Sequence, residues 1–263
     1  MHGMASIDVT RPSIARVYDA ALGGKDNFEV DRQVLRGLVE GMPEVMTIAR
    51  INRDALGRGV QLMARRGIRR FLDLGAGLPT ADNTHQVAQR TDPSCRVVYV
   101  DKDPIVLAHG QAILAGNANT AVVTADLRDP ASILGHPDVK RLIDLGEPVG
   151  VMLVAILHHL HDDEDPKGLL DAYMAAVPPG SHVFVTHFCA FDPEVTAPLE
   201  EKFLRLLGSG RFRTPAEITA LFDGYELLEP GVVPNPHWHP EAPVSADLTV
   251  GQRLHYTGLA RKN

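Results

Sequence analysis

The stretch that decides the fold is FLDLGAGLPT, residues 71–80. An apolar run typical of a buried strand ends at Leu74, a glycine-rich turn follows it, and a helical pattern begins after the turn. Gly75 and Gly77 allow the chain to turn tightly and allow a ligand to approach the backbone closely. The stretch therefore predicts a ligand-binding turn at the carboxyl end of a strand.

Two features of this stretch distinguish between ligands. Asp73 places a carboxylate at the mouth of the turn, where it would repel a pyrophosphate and attract an ammonium group. Pro79 removes one of the early helix N–H groups that a pyrophosphate needs, and Thr80 stands where the dinucleotide fingerprint has its third glycine. The turn therefore favours a zwitterionic amino-acid tail over a diphosphate.

After residue 67, short runs rich in Val, Ile and Leu alternate with helical patterns, which is typical of a parallel α/β sheet covered on both faces. The predicted strands are Arg69–Leu74, Arg96–Val100, Ala121–Ala125, Gly150–Ala155 and His182–Thr186, with two further β-like runs at Tyr225–Val233 and Arg253–Leu259. The predicted helices are Ala81–Arg90, Pro104–Ala115, Ala131–Ile143, Pro166–Val177 and Pro198–Leu207. We expect the last two β-like runs to form a long-looped hairpin at the sheet edge.

Residues 1–67 show helical periodicity instead. A strong turn signal, Gly23-Gly24-Lys25-Asp26-Asn27, separates the first two predicted helices. The three predicted helices are Arg11–Leu22, Val30–Glu40 and Glu44–Arg66, the last weakened by Gly57 and Gly59. We therefore expect a helical cap over residues 1–67 and a ligand-binding domain over residues 68–263.

Carboxylates also end the second and third predicted strands. Asp101 closes the second strand, where an acidic residue can accept both hydroxyls of a ribose. Asp126 closes the third strand and could bind the exocyclic amine of an adenine, with Leu127 against the ring. Because the carboxyl ends of parallel strands meet at one edge of the sheet, we expect Asp73, Asp101 and Asp126 to lie along one crevice.

Together these motifs resemble a class I S-adenosylmethionine (SAM)-dependent methyltransferase. More narrowly, the chain resembles a bacterial S-adenosyl methyltransferase family formerly catalogued as a domain of unknown function. The stretches that carry the closer resemblance are 15–19 (ARVYD), 23–28 (GGKDNF), 78–80 (LPT), 83–85 (NTH), 99–104 (YVDKDP), 126–130 (DLRDP) and 256–262 (YTGLARK). The resemblance implies a Rossmann-like α/β fold with a seven-stranded, mostly parallel sheet in the order 3-2-1-4-5-7-6, strand seven being antiparallel and the N-terminal helices covering the site.

The resemblance also implies SAM as the cofactor. The methionine part would be held by Asp73 and the glycine-rich turn, the ribose by Asp101, and the adenine by Asp126 with Leu127. The loop at residues 23–28 would cover the methionine end, where Lys25 or Asn27 meets the carboxylate. The complete predicted cofactor-binding set is Tyr18, Lys25, Asn27, Asp73, Gly75, Ala76, Gly77, Asp101, Lys102, Asp126, Leu127 and Ala155.

Three histidines follow the fourth predicted strand, in the segment Ala155–Asp162. A loop at that place faces the crevice, so His158 and His159 are candidate general bases for an acceptor that carries a proton. The alternative is that one ring packs and the others are solvated. Metal binding by His158, His159 and His161, helped by His237 and His239, is a rival interpretation. The spacing fits no standard zinc pattern and supporting cysteines are absent, so we expect no metal site.

Two other segments attract attention. His237-Trp238-His239 lies in a proline-rich loop that we expect to close over the substrate pocket, with Trp238 either a substrate platform or a packing residue. Seven arginines between Arg50 and Arg70 could bind RNA. The solvated face of a helix is the favoured interpretation of these arginines, because no aromatic residues interleave with the charge.

Composition sets broad limits on the class of protein. A chain of 263 residues with 44% hydrophobic residues corresponds to one large or two small soluble domains, and a net charge of −7 argues against a dedicated nucleic-acid binder. The longest apolar run, Val149–Leu157, is too short to span a membrane, and the first residues show no secretory signal, so we expect a cytoplasmic protein. Cys95 and Cys189 fall at opposite edges of the predicted sheet, which predicts free thiols.

The sequence therefore predicts a SAM-dependent methyltransferase that acts on an unidentified small-molecule acceptor. Two alternatives stay open. One is a non-catalytic module that binds SAM or its product S-adenosylhomocysteine (SAH). The other is an NAD-dependent oxidoreductase that uses the same strand, turn and helix. Asp73 and the missing third glycine count against the oxidoreductase.

Overall fold

Eight strands form one mixed sheet in the computed structural model, which describes residues 8–79, 82–113 and 116–263. In chain order they are β1 (Arg70–Leu74), β2 (Arg96–Asp101), β3 (Thr120–Thr124), β4 (Val149–Val154), β5 (His182–Phe188), β6 (Glu226–Leu227), β7 (Val233–Pro234) and β8 (His255–Arg261). The spatial order is β3-β2-β1-β4-β5-β8-β6, with β7 also paired to β8. Strands β1 to β5 pair in parallel, whereas β8 is antiparallel to β5 and to both short strands.

Eleven α-helices accompany the sheet within the described residues. The helices before the sheet are α1 (Ile14–Ala21), α2 (Glu29–Gly41) and α3 (Val45–Arg65). The others are α4 (Thr84–Thr91), α5 (Pro104–Ile113), α6 (Pro130–Gly135), α7 (Pro137–Leu142), α8 (Pro166–Ala175), α9 (Pro193–Leu207), α10 (Pro215–Ala220) and α11 (Val250–Arg253). The predicted α/β methyltransferase topology is confirmed, with one short strand more than the seven expected.

Three local predictions were wrong, and prolines explain them. The expected strand Tyr225–Val233 is split into β6 and β7, because a turn at Pro230 and Gly231 interrupts it. The expected helix Ala131–Ile143 is two helices, since Pro137 starts a new one. Helix α9 begins at Pro193, before the predicted start, where the side chain of Asp192 accepts a hydrogen bond from the Glu194 N–H.

Three positions named in the sequence predictions lie outside the described residues. They are Thr80 of the binding stretch, the predicted helix start at Ala81 and the predicted helix end at Ala115. The expected division of the chain at residue 67 falls in the turn between α3 and β1, and it stays a prediction.

Helix α3 lies against the sheet, and the contact between them is one of the hydrophobic cores of the protein. Leu56, Val60 and Met63 from this helix pack with Phe184 of β5 and with Trp238, which is fully buried. The Trp238 and Phe184 ring centroids are 5.3 Å apart. Trp238 is therefore a packing residue. The expectation that its loop closes over a substrate pocket was wrong, because the indole ring anchors that loop in the core beneath α3.

Some of the arginines in residues 50–70 bind other parts of the fold, whereas three of the seven are exposed. Arg58 donates hydrogen bonds to the carbonyls of Trp238 (2.9 Å) and Asn235 (2.8 Å), which tie the proline-rich loop to α3. Arg69 pairs with Asp92 at 2.7 Å. The favoured interpretation, the solvated face of a helix, therefore fits the exposed arginines and does not fit Arg58 or Arg69.

Both cysteines are free and buried, as predicted. Cys95 precedes β2 and Cys189 follows β5, so the sheet holds them apart. None of the helices in residues 8–79, 82–113 and 116–263 combines the length and apolar character that crossing a membrane requires.

Two glycines of α3 make a matched test of its packing against β5. A Cβ atom at Gly59 would lie 2.6 Å from the ring of Phe184, whereas a Cβ atom at Gly57 would meet no atom within 4 Å. Gly59→Ala is expected to lower the free energy of unfolding by about 1–3 kcal/mol, because the buried Phe184 ring cannot move away. Gly57→Ala is expected to raise it by about 0.5–1 kcal/mol through helix propensity. Denaturant unfolding of both variants measures the difference, and a stabilising Gly59→Ala would contradict the close contact.

Candidate functional site

A cavity of about 760 Å³ runs along the carboxyl edge of the sheet, beneath the N-terminal helices. It is lined by the chain that follows β1, β2, β3 and β4, by the end of β5, and by side chains of α1, α2, α3 and α9. Ten of the twelve predicted cofactor-binding residues line it, namely Tyr18, Asp73, Gly75, Ala76, Gly77, Asp101, Lys102, Asp126, Leu127 and Ala155. His158 and His159 line it as well.

The glycine-rich turn has the conformation that its sequence requires. Gly75 (φ +71°) and Gly77 (φ +67°) both adopt the left-handed backbone conformation. A Cβ atom at Gly75 would lie 2.5 Å from Ile156, so that position has no room for a side chain. Beside Gly77 there is open space, since a Cβ atom there would meet nothing within 4 Å. The turn thus presents a bare backbone surface to the cavity.

Asp101 links the turn to β2. Its carboxylate accepts the backbone N–H groups of Gly77 (2.8 Å) and Asp103 (2.9 Å). Burial raises the pKa of Asp101 above its ordinary value, and the two hydrogen bonds oppose that rise. Each carboxylate oxygen has a further lone pair, so the group can still accept hydrogen bonds from a ligand.

Asp73 is the most deeply buried acid among the predicted site residues. The Thr84 hydroxyl donates to its carboxylate at 2.6 Å. Burial nevertheless raises the pKa of Asp73 to about 6, and the charge of Asp101 adds to the rise. A cationic group bound in the cavity beside Asp73 would relieve this cost.

The end of β3 differs from the other two strand ends, because it is more open. Asp126 accepts the backbone N–H of Arg128 at 3.0 Å and pairs with its guanidinium group at 3.3 Å. Leu127 is buried beside it, and the Leu127 carbonyl accepts the hydroxyl of Tyr173 at 2.7 Å. A half-exposed carboxylate therefore lies next to an apolar surface, and the predicted binding of adenine by Asp126 and Leu127 stays a prediction.

A chain of hydrogen bonds crosses from the sheet to the N-terminal helices. The N–H of Ala155, which follows β4 with φ +52°, donates to the Thr186 hydroxyl (2.9 Å), and that hydroxyl donates to the Asn52 side chain (2.7 Å). The Asn52 amide donates to the Tyr18 hydroxyl (2.9 Å), which donates to the Ala49 carbonyl (3.1 Å). Sequence reasoning missed Asn52 and Thr186, because neither lies in a recognisable motif.

Four imidazole rings cluster at the other end of the cavity. His158 and His159 lie in the 3₁₀ turn Leu157–His159, and their ring centroids are 4.3 Å apart. The ring of His158 also lies 5.7 Å from that of His187 on β5 and 6.1 Å from that of His255 on β8. His187 and His255 were missed, since sequence gives no sign that distant strands bring them to this loop.

Burial keeps these rings neutral. It lowers the pKa of His159, His187 and His255 to about 3 each, and that of His158 well below its ordinary value. The mutual charge repulsion of the rings and the nearby Arg213 guanidinium lower the pKa of His158 further. The Nδ1 atom of His158 is buried, and none of the residues that the structure describes hydrogen-bonds to it.

Arg213 holds the histidine turn in place from behind. Its guanidinium donates to the carbonyls of Leu157 (3.2 Å) and Leu160 (3.1 Å) and to Nε2 of His187 (2.9 Å). It also pairs with Asp162 at 2.8 Å, and it is 3% exposed. The Arg213 guanidinium thus lies outside the cavity lining, and its charge is paired with Asp162.

Lys25 and Asn27 are the two predicted site residues that do not line the cavity. The Lys25 side chain is exposed. The Asn27 amide donates to the buried Asp19 carboxylate (2.8 Å), which also accepts the Asp26 N–H (3.0 Å). The geometry of this turn depends on Gly24, where a Cβ atom would clash with Asp19. The contact of Lys25 and Asn27 with a cofactor stays a prediction.

The other histidines considered as metal ligands do not join His158 and His159. His237 is hydrogen-bonded to the Ser245 carbonyl and His239 to the Glu229 carbonyl, each on the proline-rich loop, while the His161 side chain is exposed. Within the part of the chain that the structure describes, no group of three His, Cys, Asp or Glu side chains is placed to hold a metal ion.

This topology, with a glycine-rich turn after β1 and acids at the ends of β2 and β3, is that of the class I methyltransferase fold. Mitomycin 7-O-methyltransferase MmcR shares the fold, with a TM-score of 0.52 and 16% identity over 96% of this chain and 74% of that one. A crystal structure of a candidate methyltransferase from Thermobifida fusca is far more similar, with 48% identity, a TM-score of 0.94 and 97% of both chains covered.

A DUF574 family protein from Streptomyces avermitilis is 37% identical, with a TM-score of 0.93 over 98% of this chain and all of that one (100%). The sequence pattern described as S-adenosyl methyltransferase matches residues 2–263. The chain therefore belongs to this family of SAM-dependent methyltransferases, which decides against the oxidoreductase alternative. Among curated proteins, none matches the sequence significantly.

Asp73 should make the stability of the ligand-free protein pH-dependent. Its pKa rises from 3.8 to about 6 on folding, so the native state binds more protons than the unfolded state between these pH values. The free energy of unfolding therefore falls as the pH increases from 3.8 to 6. Asp73→Asn removes this cost and is expected to raise the free energy of unfolding above pH 6, by at most roughly 3 kcal/mol. The gain should disappear below about pH 4. Denaturant unfolding at several pH values tests this, and an equal effect at pH 4 and pH 7 would contradict it.

The clustered imidazoles give a second measurable consequence. The rings of His158, His159, His187 and His255 are expected to stay neutral from about pH 5 to pH 8, because burial lowers their pKa values far below 6.5. Site-resolved ¹⁵N NMR, assigned with single His→Gln variants, follows each ring. A titration midpoint above pH 5 at any of the four would show that the cluster admits water and charge.

Proposed function

We propose that this methyltransferase uses SAM to methylate a small-molecule acceptor within the cavity at the carboxyl edge of its sheet. The observation that carries the proposal is the alignment of three strand-end carboxylates, Asp73, Asp101 and Asp126, beside the bare backbone of the glycine-rich turn. The cavity lies within the range of roughly 300–1,000 Å³ that is usual for ligand pockets.

The residues present fit each part of SAM. The buried carboxylate of Asp73 suits the ammonium group, because a cation beside it would stabilise the charged form that burial disfavours. Asp101 accepts the ribose hydroxyls, and the open space beside Gly77 admits the methionine chain. Asp126 receives the adenine amine while Leu127 covers the ring. Tyr18, Ala76, Lys102 and Ala155 complete the wall, and Lys25 and Asn27 remain predicted contacts on the neighbouring loop.

SAM supplies an electrophilic methyl group whose bond to sulfur breaks as a lone pair of the acceptor attacks, leaving the bond electrons on sulfur. The chain has to place the acceptor in line with that bond and exclude water, and positioning alone can supply about 7–11 kcal/mol. Ala155, fixed by Thr186, borders the cavity between the turn and the histidines. The acceptor is therefore expected to approach from the histidine end.

His158 and His159 were candidate general bases, and their environment favours a different role. An imidazole with a pKa of about 3, as at His159, takes up a proton poorly near pH 7. Neutral rings can still donate or accept hydrogen bonds. We assign both residues to orienting the acceptor, and any proton that it carries would leave to solvent.

The N-terminal helices have a defined part in this proposal. Side chains from α1, α2 and α3 line the cavity opposite the sheet, and the Ser13 hydroxyl donates to Asp103 beyond the end of β2. Residues 1–67 would thus act as a cap that keeps water from the reacting methyl group.

Parallel isothermal titrations with SAM, SAH and NAD test the proposal. We expect micromolar binding of SAM and SAH and none of NAD, because the turn offers a buried carboxylate where a pyrophosphate would lie. Turnover is then sought by incubating the protein and SAM with a metabolite pool and following SAH. Binding of NAD, or failure of both SAM and SAH to bind, would refute the assignment. Binding without turnover on any acceptor would favour a SAM-binding module.

A pair of aspartate variants locates the cofactor. Asp101→Ala is expected to weaken SAH binding at least tenfold, because charge-assisted hydrogen bonds contribute roughly 1.5–3 kcal/mol each. Asp129→Ala is the matched control, since Asp129 caps α6 at the Ser132 N–H and lies outside the cavity lining. Circular dichroism checks that both variants fold. Equal SAH affinity in both would place the ribose elsewhere.

A further inference from the structure

Charge is unevenly distributed along the cavity. The charged side chains that line it lie within residues 8–16, at Arg53 of α3, and at the ends of β1, β2 and β3. Arg53 acts on the charge of Asp73, and Arg16 is buried in an ion pair with Asp31 at 2.9 Å. The charged side chains therefore line the part of the cavity that we assign to SAM.

The opposite part is apolar and aromatic. We call the space bounded by Leu38, Ile48, Phe188, Phe203 and Leu207 the distal chamber. It lies at the ends of β5 and β8, two and three strands from β1, so that roughly 10 Å or more separates it from the glycine-rich turn. Among the described residues that line the cavity, those that bound this chamber carry no charged side chain.

Aromatic rings form the end wall of the distal chamber. The Phe188 ring centroid lies 4.9 Å from that of Phe203, 4.8 Å from that of His158 and 4.5 Å from that of His255. All three rings meet Phe188 edge to face, and the Phe212 ring stacks on Phe188 at 4.8 Å. Phe188 and Phe203 are the phenylalanines of this aromatic cluster that line the cavity, so a planar guest there would lie against aromatic rings. The imidazoles offer polar contacts on the same wall.

The hydrogen bonds around the imidazoles fix some of those contacts. The Asn235 amide donates to Nδ1 of His255 (3.3 Å), so the ring proton of His255 is on Nε2. Nδ1 of His159 is bonded to the Ser209 hydroxyl at 2.9 Å. The described residues that bound the chamber offer neither a cation to an anionic guest nor a carboxylate to a cationic guest. The Arg213 guanidinium lies behind the chamber and is already bonded to Asp162 and to the turn carbonyls.

We propose that the distal chamber binds the methyl acceptor, and that the acceptor is an uncharged molecule with an aromatic ring system bearing a hydroxyl or amino group. This inference rests on the proposed function, since it presumes SAM at the other end of the cavity. The ring system lies against Phe188 and Phe203, and the nucleophilic group points toward Ala155. The chamber thus selects against charged molecules by leaving their charge without water or a partner.

Three probes with one ring system test the charge preference directly. They are 2-naphthol, 2-naphthoate and 2-naphthylmethylammonium, which are neutral, anionic and cationic at pH 7. Each is titrated into the protein after saturation with SAH, and 2-naphthol is expected to bind at least tenfold more tightly than either charged probe. A charged probe that binds as tightly as 2-naphthol, or failure of all three to bind the SAH complex, would overturn the inference.

A charge placed in the chamber should reverse the preference. Leu207, the last residue of α9, lines the chamber, and a lysine there suits the carboxyl end of a helix. Leu207→Lys is expected to raise the affinity of 2-naphthoate relative to 2-naphthol at least tenfold. Leu204→Lys is the matched control, because Leu204 is exposed on the same helix outside the lining, and it should leave the ratio unchanged.

The outcomes separate this inference from the proposed function. If SAH fails to bind the wild-type protein, the cofactor assignment falls, and the inference that depends on it falls as well. If SAH binds and the probes show no neutral preference, only the acceptor class is refuted. An equal change of the ratio in both lysine variants would place the probes outside the distal chamber. If Leu207→Lys does not fold, the three-probe comparison on the wild-type protein decides.

Discussion

The side-chain amide of Asn52 is the contact on which the site depends. It accepts from Thr186 of β5 through its oxygen and donates to Tyr18 of α1 through its nitrogen, and it is 2% exposed. A single buried group thereby fixes α1 and α3 relative to the sheet. Because a buried amide left without partners costs roughly 1–3 kcal/mol, the helices cannot shift along the sheet without losing these bonds. The shape of the cavity between them follows from this constraint.

Electrostatics divides the cavity into two kinds of environment. At the ends of β1 and β2, carboxylates are buried with raised pKa values. At the ends of β5 and β8, imidazoles are buried with lowered pKa values and carry no charge. Burial shifts both kinds of group away from their charged forms. One end therefore gains from a cationic guest, whereas the other gains from a neutral one.

The sequence could predict what depends on local pattern. The central strands, the glycine-rich turn and Asp73, Asp101 and Asp126 are all set by short-range signals, since parallel strands bring their carboxyl ends to one edge. Asn52, the β5 pair Thr186 and His187, His255 and Arg213 come from four distant parts of the chain, and only the completed sheet brings them together. Trp238 shows the same limit. Nothing in the sequence of the proline-rich loop indicates that the Trp238 carbonyl binds Arg58 or that its indole packs against Phe184 in the core.

Strand β8 has a consequence for how the molecule assembles. It pairs with β5, yet α9, α10, β6, β7 and α11 all lie between the two in the chain. Closing such a long loop costs entropy before strand pairing returns it, so pairings of this kind tend to form late. Strands β1 to β5 can pair in parallel without β8. The aromatic wall needs His255, so it cannot form until β8 has paired. The half of the cavity with the carboxylates is thus able to form first, and the aromatic half is completed last.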